Sequence, residues 1–227
     1  MPDAPWDEAG RRAFVQAWTA LAAPPLVPEV RLHTATEITP LWLATEEGLR
    51  EQGLEPPFWA FAWPGGQALA RYVLDHPDTV RGRRVLDLAC GGGLIGLAAA
   101  LSGAAAVDCV DVDPLALTAT ALNAAENGVA DRITPLCKDL AADSADTGDW
   151  PVVLAGDVCY AQPMADRMMG LLRARAAAGA LVLIADPGRA HLPGDGLEPV
   201  AVFDVPTTLE LEDRATRTTT LWRVKSR

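Results

Sequence analysis

Apolar residues recur at helical spacing near the start of the chain, at Phe14, Trp18 and Leu21, and predict an amphipathic helix from Asp7 to about Ala22. The run Pro24-Pro25-Leu26-Val27-Pro28 ends it. Thr39-Pro40 reads as a cap followed by proline at the first helical position, and the short helix through Leu43 should stop near Gly48 or Gly53. Trp63-Pro64 repeats that start and opens a helix to about Asp75. From Arg84 the rhythm changes, and apolar strand-length runs alternate with helical ones. Strands are predicted at Val85–Leu88, Ala106–Asp111, Ile133–Cys137, Val152–Ala155 and Ala180–Ala185, with helices at about Leu94–Leu101, Pro114–Glu126 and Pro163–Ala177. Ser102-Gly103 and Asn127-Gly128 supply stops for the first two of these helices. Two further strands, Pro199–Val205 and Thr218–Val224, are joined by a polar segment alone.

Strand–helix alternation calls for a parallel sheet covered on both faces, and the final pair reads as an antiparallel hairpin closing one edge. The fold class is therefore α/β: a doubly wound, mostly parallel seven-stranded Rossmann-like sheet with an N-terminal helical cap. There is no internal repeat or low-complexity linker, so the expectation is one domain, with residues 1–55 as cap and 56–227 as core. A chain of 227 residues, half of them hydrophobic, suits a packed globule of that size. Its longest apolar runs are too short to span a bilayer. The acids Asp3, Asp7 and Glu8 stand where a signal peptide would be apolar, which points to the cytoplasm of a prokaryote. Cys90, Cys109, Cys137 and Cys159 form no C-x-x-C pair and read as reduced thiols, most of them packed in or beside strands. His33, His76 and His191 are scattered, so no metal set is expected. The net charge of −11 disfavours a nucleic-acid partner and is compatible with a basic protein surface.

The chemistry starts at the loop after the first long strand, Asp87-Leu88-Ala89-Cys90-Gly91-Gly92-Gly93-Leu94-Ile95-Gly96. Gly91-x-Gly93-x-x-Gly96 is a dinucleotide fingerprint when taken literally, with Asp111 at the end of the next strand to accept two ribose hydroxyls. Asp87, four residues before Gly91, argues against a dinucleotide. A carboxylate there would repel a diphosphate, and it suits the ammonium of a methionine moiety. The glycines let backbone approach the ligand where any Cβ would intrude. After the third strand Asp139 could accept from an adenine amine, or serve as an ordinary loop acid. Trp63 is a large flat group near the same place, and core packing is an equal explanation for it.

The segment Val85-Leu86-Asp87-Leu88 with Gly91-x-Gly93 and Val110-Asp111-Val112-Asp113-Pro114 resembles class I S-adenosylmethionine-dependent methyltransferases. Three further runs are more specific: Pro57–Gln67, Gly156-Asp157-Val158-Cys159-Tyr160 and Asp186-Pro187-Gly188-Arg189. Together they are similar to the seven-strand lysine methyltransferases marked by an Asp-x-x-Tyr motif, and among these to the branch acting on the electron transfer flavoprotein β subunit. The similarity spans about Pro28 to Val224. It implies S-adenosylmethionine as cofactor, held by Trp63, Asp87, Gly91, Gly93, Asp111 and the Asp139-Leu140 turn, and a catalytic pair of Asp157 and Tyr160. One departure is Ala89, which replaces the first glycine of the usual loop; alanine is small, and little harm is expected.

In that reading Asp157 captures and aims a lysine ammonium, and Tyr160, one helical turn on, walls the channel or hydrogen-bonds the amine. Alternatively the two merely cap the helix after the fourth strand. The substrate expected is a lysine of the flavoprotein β subunit. A small-molecule, nicotinamide-type N-methyltransferase would use the same pocket behind a more closed entrance, and a nicotinamide-dependent oxidoreductase would need the loop to take a diphosphate despite Asp87.

Overall fold

The computed structural model describes residues 7–35, 57–142, 148–207, 212 and 214–226. Helix α1 (Glu8–Trp18) starts at Asp7, whose carboxylate accepts from the Gly10 N–H at 2.8 Å. It is shorter than its apolar spacing suggests. Thr19 turns extended, and Leu21 belongs instead to strand β1 (Ala20–Ala22), paired antiparallel with β2 (Leu32–Thr34). The Thr19 hydroxyl lies 3.0 Å from His33 Nδ1, so a cross-strand contact fixes the point where the helix stops. The Thr39–Gly53 helix of the sequence reading falls outside the described residues.

A 3-10 turn (Phe58–Ala60) leads into helix α2 (Pro64–Asp75), with Trp63 as its N-cap and Pro64 at the first helical position. Then come β3 (Arg84–Leu88), α3 (Leu94–Leu101), β4 (Ala106–Asp111), α4 (Pro114–Glu126), β5 (Ile133–Cys137), β6 (Val152–Gly156), α5 (Met164–Ala177), β7 (Leu181–Asp186), β8 (Leu197–Pro206) and β9 (Thr216–Val224). These strands form one seven-stranded sheet in the order β5-β4-β3-β6-β7-β9-β8. Strands β3 to β7 are parallel, and β9 runs antiparallel to both β7 and β8.

Successive residues of the buried strands serve opposite faces. Val85, Val107, Val152, Leu154 and Leu183 pack with Leu69, Val73 and Leu97 of α2 and α3. Leu86, Val110, Val153 and Ile184 pack with Met169 and Leu172 of α5. This is why these strands read as nearly continuous apolar runs. The strand order reverses between β3 and β6, which opens a crevice at the carboxyl ends of the parallel strands. Helix α1 closes over α4, with Val15 buried against Leu115, Ala119 and Trp59. Among the described residues no helix is long and apolar enough to cross a membrane.

Candidate active site

The carboxyl ends of five parallel strands carry the acids singled out in the sequence. Asp87 lies in β3, Asp111 ends β4, Asp139 follows β5, Asp157 follows β6 and Asp186 ends β7. They fall into two groups, one on each side of the β3/β6 switch.

The first group surrounds the glycine loop. Asp87 is fully buried. Its Oδ2 accepts the Gly96 N–H at 2.8 Å, while its Oδ1 has no hydrogen-bond partner among the described residues. Burial pushes this carboxyl up to about 7, the Gly96 N–H opposes the shift, and the charge of Asp111 adds to it. An orphaned buried acceptor costs about 1–3 kcal/mol unless a ligand donates to it, so the position fits a cationic group. Asp111 clamps the loop: its Oδ2 accepts Gly91 N–H at 2.9 Å and its Oδ1 accepts Asp113 N–H at 3.0 Å. Burial raises its pKa as well. Each oxygen keeps a lone pair for a further donor.

The loop is tight from behind. A Cβ on Gly93 would meet the Thr120 side chain at 2.8 Å, and one on Gly92 the Trp59 carbonyl at 2.9 Å. Two residues of α4 that the sequence reading missed hold the loop in place. Thr120 donates to Gly91 O at 3.0 Å, and Asn123 Nδ2 donates to Gly92 O at 2.8 Å. Asn123 Oδ1 also accepts the His33 N–H of β2 at 2.7 Å, so one buried amide ties loop, helix and N-terminal segment together. The signal was present as a polar stripe, Thr120, Asn123 and Asn127, on an otherwise alanine-rich helix.

Ala89 departs from expectation. Its φ is 55°, in the left-handed region that an L side chain resists. Asp139 is exposed, and its Oδ1 accepts from Ala141 N–H and Ala142 N–H at 3.1 and 3.0 Å, forming a turn. Leu140 is buried with Leu86, Leu88 and Val110.

The second group centres on Asp157, which is buried and sits at φ 55°. The start of α2 is pressed against it: a Cβ on Gly65 would come within 2.5 Å of Asp157 Oδ2. That contact explains Gly65, because only glycine permits so close an approach. The same Oδ2 accepts Gly66 N–H at 3.1 Å, and Oδ1 accepts from Arg189 at 3.1 Å. Burial pushes Asp157 up to about 7, opposed by the Arg189 charge and reinforced by Asp186. Burial, with both acids nearby adding to it, pushes the Cys159 thiol up to about 12, and it is inert as a thiol.

Tyr160 is not one helical turn from Asp157. The segment between them is a run of turns, and the next helix starts only at Met164. Tyr160 is 46% exposed and packs with its ring tilted against Phe58, centroids 5.6 Å apart, itself 47% exposed. Trp63 joins them: its ring lies 6.2 Å from Phe58, its Nε1 donates to Phe58 O at 2.8 Å, and Arg189 lies over its face at 5.8 Å. Trp63 thus borders the Asp157 side of the crevice. Phe58 and Arg189 were legible only as parts of motifs, without roles. Among the described residues no group of His, Cys, Asp and Glu could hold a metal ion.

Residues 67–173 match the family model described as ribosomal protein L11 methyltransferase (PrmA). A Xenopus laevis protein named electron transfer flavoprotein beta subunit lysine methyltransferase is 37% identical over 219 residues, covering 93% of this chain and 85% of its own. The Homo sapiens protein of the same name is 32% identical over 233 residues, covering 96% and 86%. Magnesium protoporphyrin IX methyltransferase from Synechocystis PCC 6803, solved with S-adenosylmethionine bound, is similar at a TM-score of 0.50 and 15% identity, covering 71% of this chain and 78% of that one. At that identity the likeness speaks for the fold.

Proposed function

The chain belongs to the electron transfer flavoprotein beta subunit lysine methyltransferase family, and from that premise we propose that it methylates lysine side chains of an electron transfer flavoprotein β subunit. It is an S-adenosylmethionine-dependent protein methyltransferase. The bound cofactor supplies a methyl group activated on a positively charged sulfur.

Asp87 Oδ1, without a partner among the described residues, would take the cofactor's ammonium, Asp111 its ribose hydroxyls, and Gly91 and Gly93 would leave room for it. The Asp139-Leu140 turn would meet the adenine edge, and Trp63 would be a further contact to the cofactor from the Asp157 side of the crevice. The observation that carries the substrate side is a buried carboxylate, Asp157, linked through Arg189 and Trp63 to an exposed aromatic pair, Phe58 and Tyr160. A lysine side chain needs both: aromatic faces along its stem and cation, and an anion at its head. Such an open, aromatic mouth suits a side chain presented by another protein.

A lysine ammonium has no lone pair, and removing its proton at pH 7 costs about 4.6 kcal/mol when its pKa is unperturbed. Asp157 first captures and aims the ammonium. Because burial has raised its own pKa to about 7, it is also a far better proton acceptor than an exposed carboxylate, directly or through water. Catalysis then rests on alignment of the amine with the methyl group. Residues 7–35 act as a cap on this single domain rather than as a second one, and the four free cysteines fit a reducing, cytoplasmic setting.

The test is direct. Purified flavoprotein, enzyme and cofactor should give mass gains in multiples of one methyl, confined to one or two lysines and abolished by arginine at those positions. An unmodified flavoprotein alongside turnover of nicotinamide or another small amine would overturn the substrate assignment.

A further inference from the structure

Asp186, Pro187, Gly188 and Arg189 follow β7 as a tight turn that the mechanism above does not use. Asp186 Oδ1 accepts both Gly188 N–H and Arg189 N–H, at 2.8 and 2.6 Å, so the turn is rigid and the Arg189 side chain leaves it from a fixed point. Its guanidinium donates to Asp157 Oδ1 at 3.1 Å and to Glu212 at 2.6 and 3.4 Å. Arg217 in β9 donates to the other side of Glu212 at 2.9 Å. The side chains of Asp157 and Glu212 are only 9% and 1% exposed, and that of Arg189 is 21% exposed.

A buried chain of ions is an unfavourable way to stabilise a fold, because desolvation cancels most of the Coulombic gain. Its geometry suggests another use. Asp157 and Glu212 meet the guanidiniums of Arg189 and Arg217, and Asp186, which holds the backbone of the turn, adds a third carboxylate beside them, so with all groups ionised the carboxylates exceed the guanidiniums by one among the described residues of the network. One incoming cation would balance the excess.

Resting on the lysine methyltransferase reading, we propose that Arg189 is a positioning residue: it holds the Asp157 carboxylate in one orientation and favours its anionic form, and is itself aimed by Glu212, Arg217 and the Trp63 face. Both oxygens of Asp157 are then anchored, one by Gly66 N–H and one by Arg189, and each keeps a lone pair for the substrate. Removing Arg189 releases one anchor and the strongest nearby positive charge. Removing the Glu212 charge does the opposite, because Arg189 then has Asp157 as its remaining acidic side-chain partner. The titratable groups around Asp157 are Arg189 and Asp186 from the β7 end, Cys159 from its own turn, and Glu212 with Arg217 through Arg189.

The experiment follows Asp157 by carboxyl-carbon NMR in the full-length enzyme labelled at aspartate, with the resonance assigned by Asp157→Asn. Cofactor affinity and circular dichroism check that each variant is folded. Wild-type Asp157 should titrate near 7. Arg189→Gln should move the midpoint up by about one pH unit or more, Glu212→Gln should move it down, and Arg189→Lys should stay closer to wild type than Arg189→Gln. With the flavoprotein as substrate, Arg189→Gln should lower kcat at pH 7 by at least about tenfold and leave cofactor affinity within a few-fold. Midpoints unmoved in both folded Gln variants would overturn the proposal, as would shifts of the same sign. If the titrations shift as stated but wild type leaves the flavoprotein untouched, the substrate reading fails and the role of Arg189 stands.

Discussion

Asp87 is under electrostatic strain before any ligand arrives. It is fully buried, has one oxygen orphaned, and its pKa is raised to about 7. A carboxyl raised in the folded state stabilises the fold below its unfolded pKa of about 4, and that contribution is lost as pH rises through 7. The difference is on the order of 4 kcal/mol at pH 8. Asp87→Asn should therefore raise the Tm at pH 8 and change it little at pH 4, while weakening S-adenosylmethionine binding at pH 8 at least about tenfold. Wild-type affinity should itself fall about tenfold from pH 8 to pH 6, as Asp87 takes up a proton. Calorimetry at both pH values checks the sign, and flat affinity over that range would remove Asp87 as the cofactor's anion. Ala89 is the other strained residue, at φ 55°. Ala89→Gly should stabilise by about 1 kcal/mol, less the entropy glycine adds to the unfolded chain. A drop in denaturation midpoint would show that the alanine side chain contributes packing.

Most elements were legible because buried parallel strands and apolar helices leave long, regular runs: β4, β5, α3 and α4 match their predicted limits residue for residue. The end of α1 was not, because Leu21 continues the helical spacing while contacts between Thr19 and His33, distant in sequence, stop the helix. The turns after Asp157 were misread for a similar reason, since spacing alone does not distinguish a turn from a first helical turn. Site acids at strand ends were visible in the sequence, but their partners were not. Gly66 and Arg189 meet Asp157 from two separate segments, Glu212 reaches it only through Arg189 from a third, and no local pattern encodes that meeting. Asn123 is the element-scale case with a consequence. Its amide joins α4 to the glycine loop and to β2. Asn123→Ala leaves a buried carbonyl and a buried N–H unpaired, and should cost about 2–4 kcal/mol. It should also raise hydrogen exchange in both β2 and the 91–93 loop, and weaken cofactor binding. If exchange rises in β2 alone, the loop is held by Thr120 and the shared clamp is wrong.

At the scale of the whole molecule, the fold gathers acids at the carboxyl ends of its parallel strands, and the chain as a whole carries a net charge of −11. Asp157, Asp186 and Glu212 lie on one side of the crevice, balanced only in part by Arg189 and Arg217. A protein surface that presents lysine is therefore drawn toward this enzyme over distances where short-range contacts do not act. Screening sets the range: the Debye length is about 10 Å at 0.1 M salt and about 3 Å at 1 M. Encounter should weaken with salt, whereas chemistry in the buried Asp157 site, already shielded from solvent ions, should not. Raising sodium chloride from about 0.05 to 0.5 M should increase KM for the flavoprotein several-fold and leave kcat within about twofold. KM for S-adenosylmethionine should change much less, because its contacts are local and internal. The assay is favoured by composition, since only Lys138 and Lys225 of the nineteen basic residues could be self-methylated. A flavoprotein KM that is indifferent to salt would mean that recognition is carried by the Phe58–Tyr160 aromatic pair and shape, with the net charge a bystander. A falling kcat with a constant KM would instead place exposed charge within the catalytic step itself, contrary to the buried seat of Asp157.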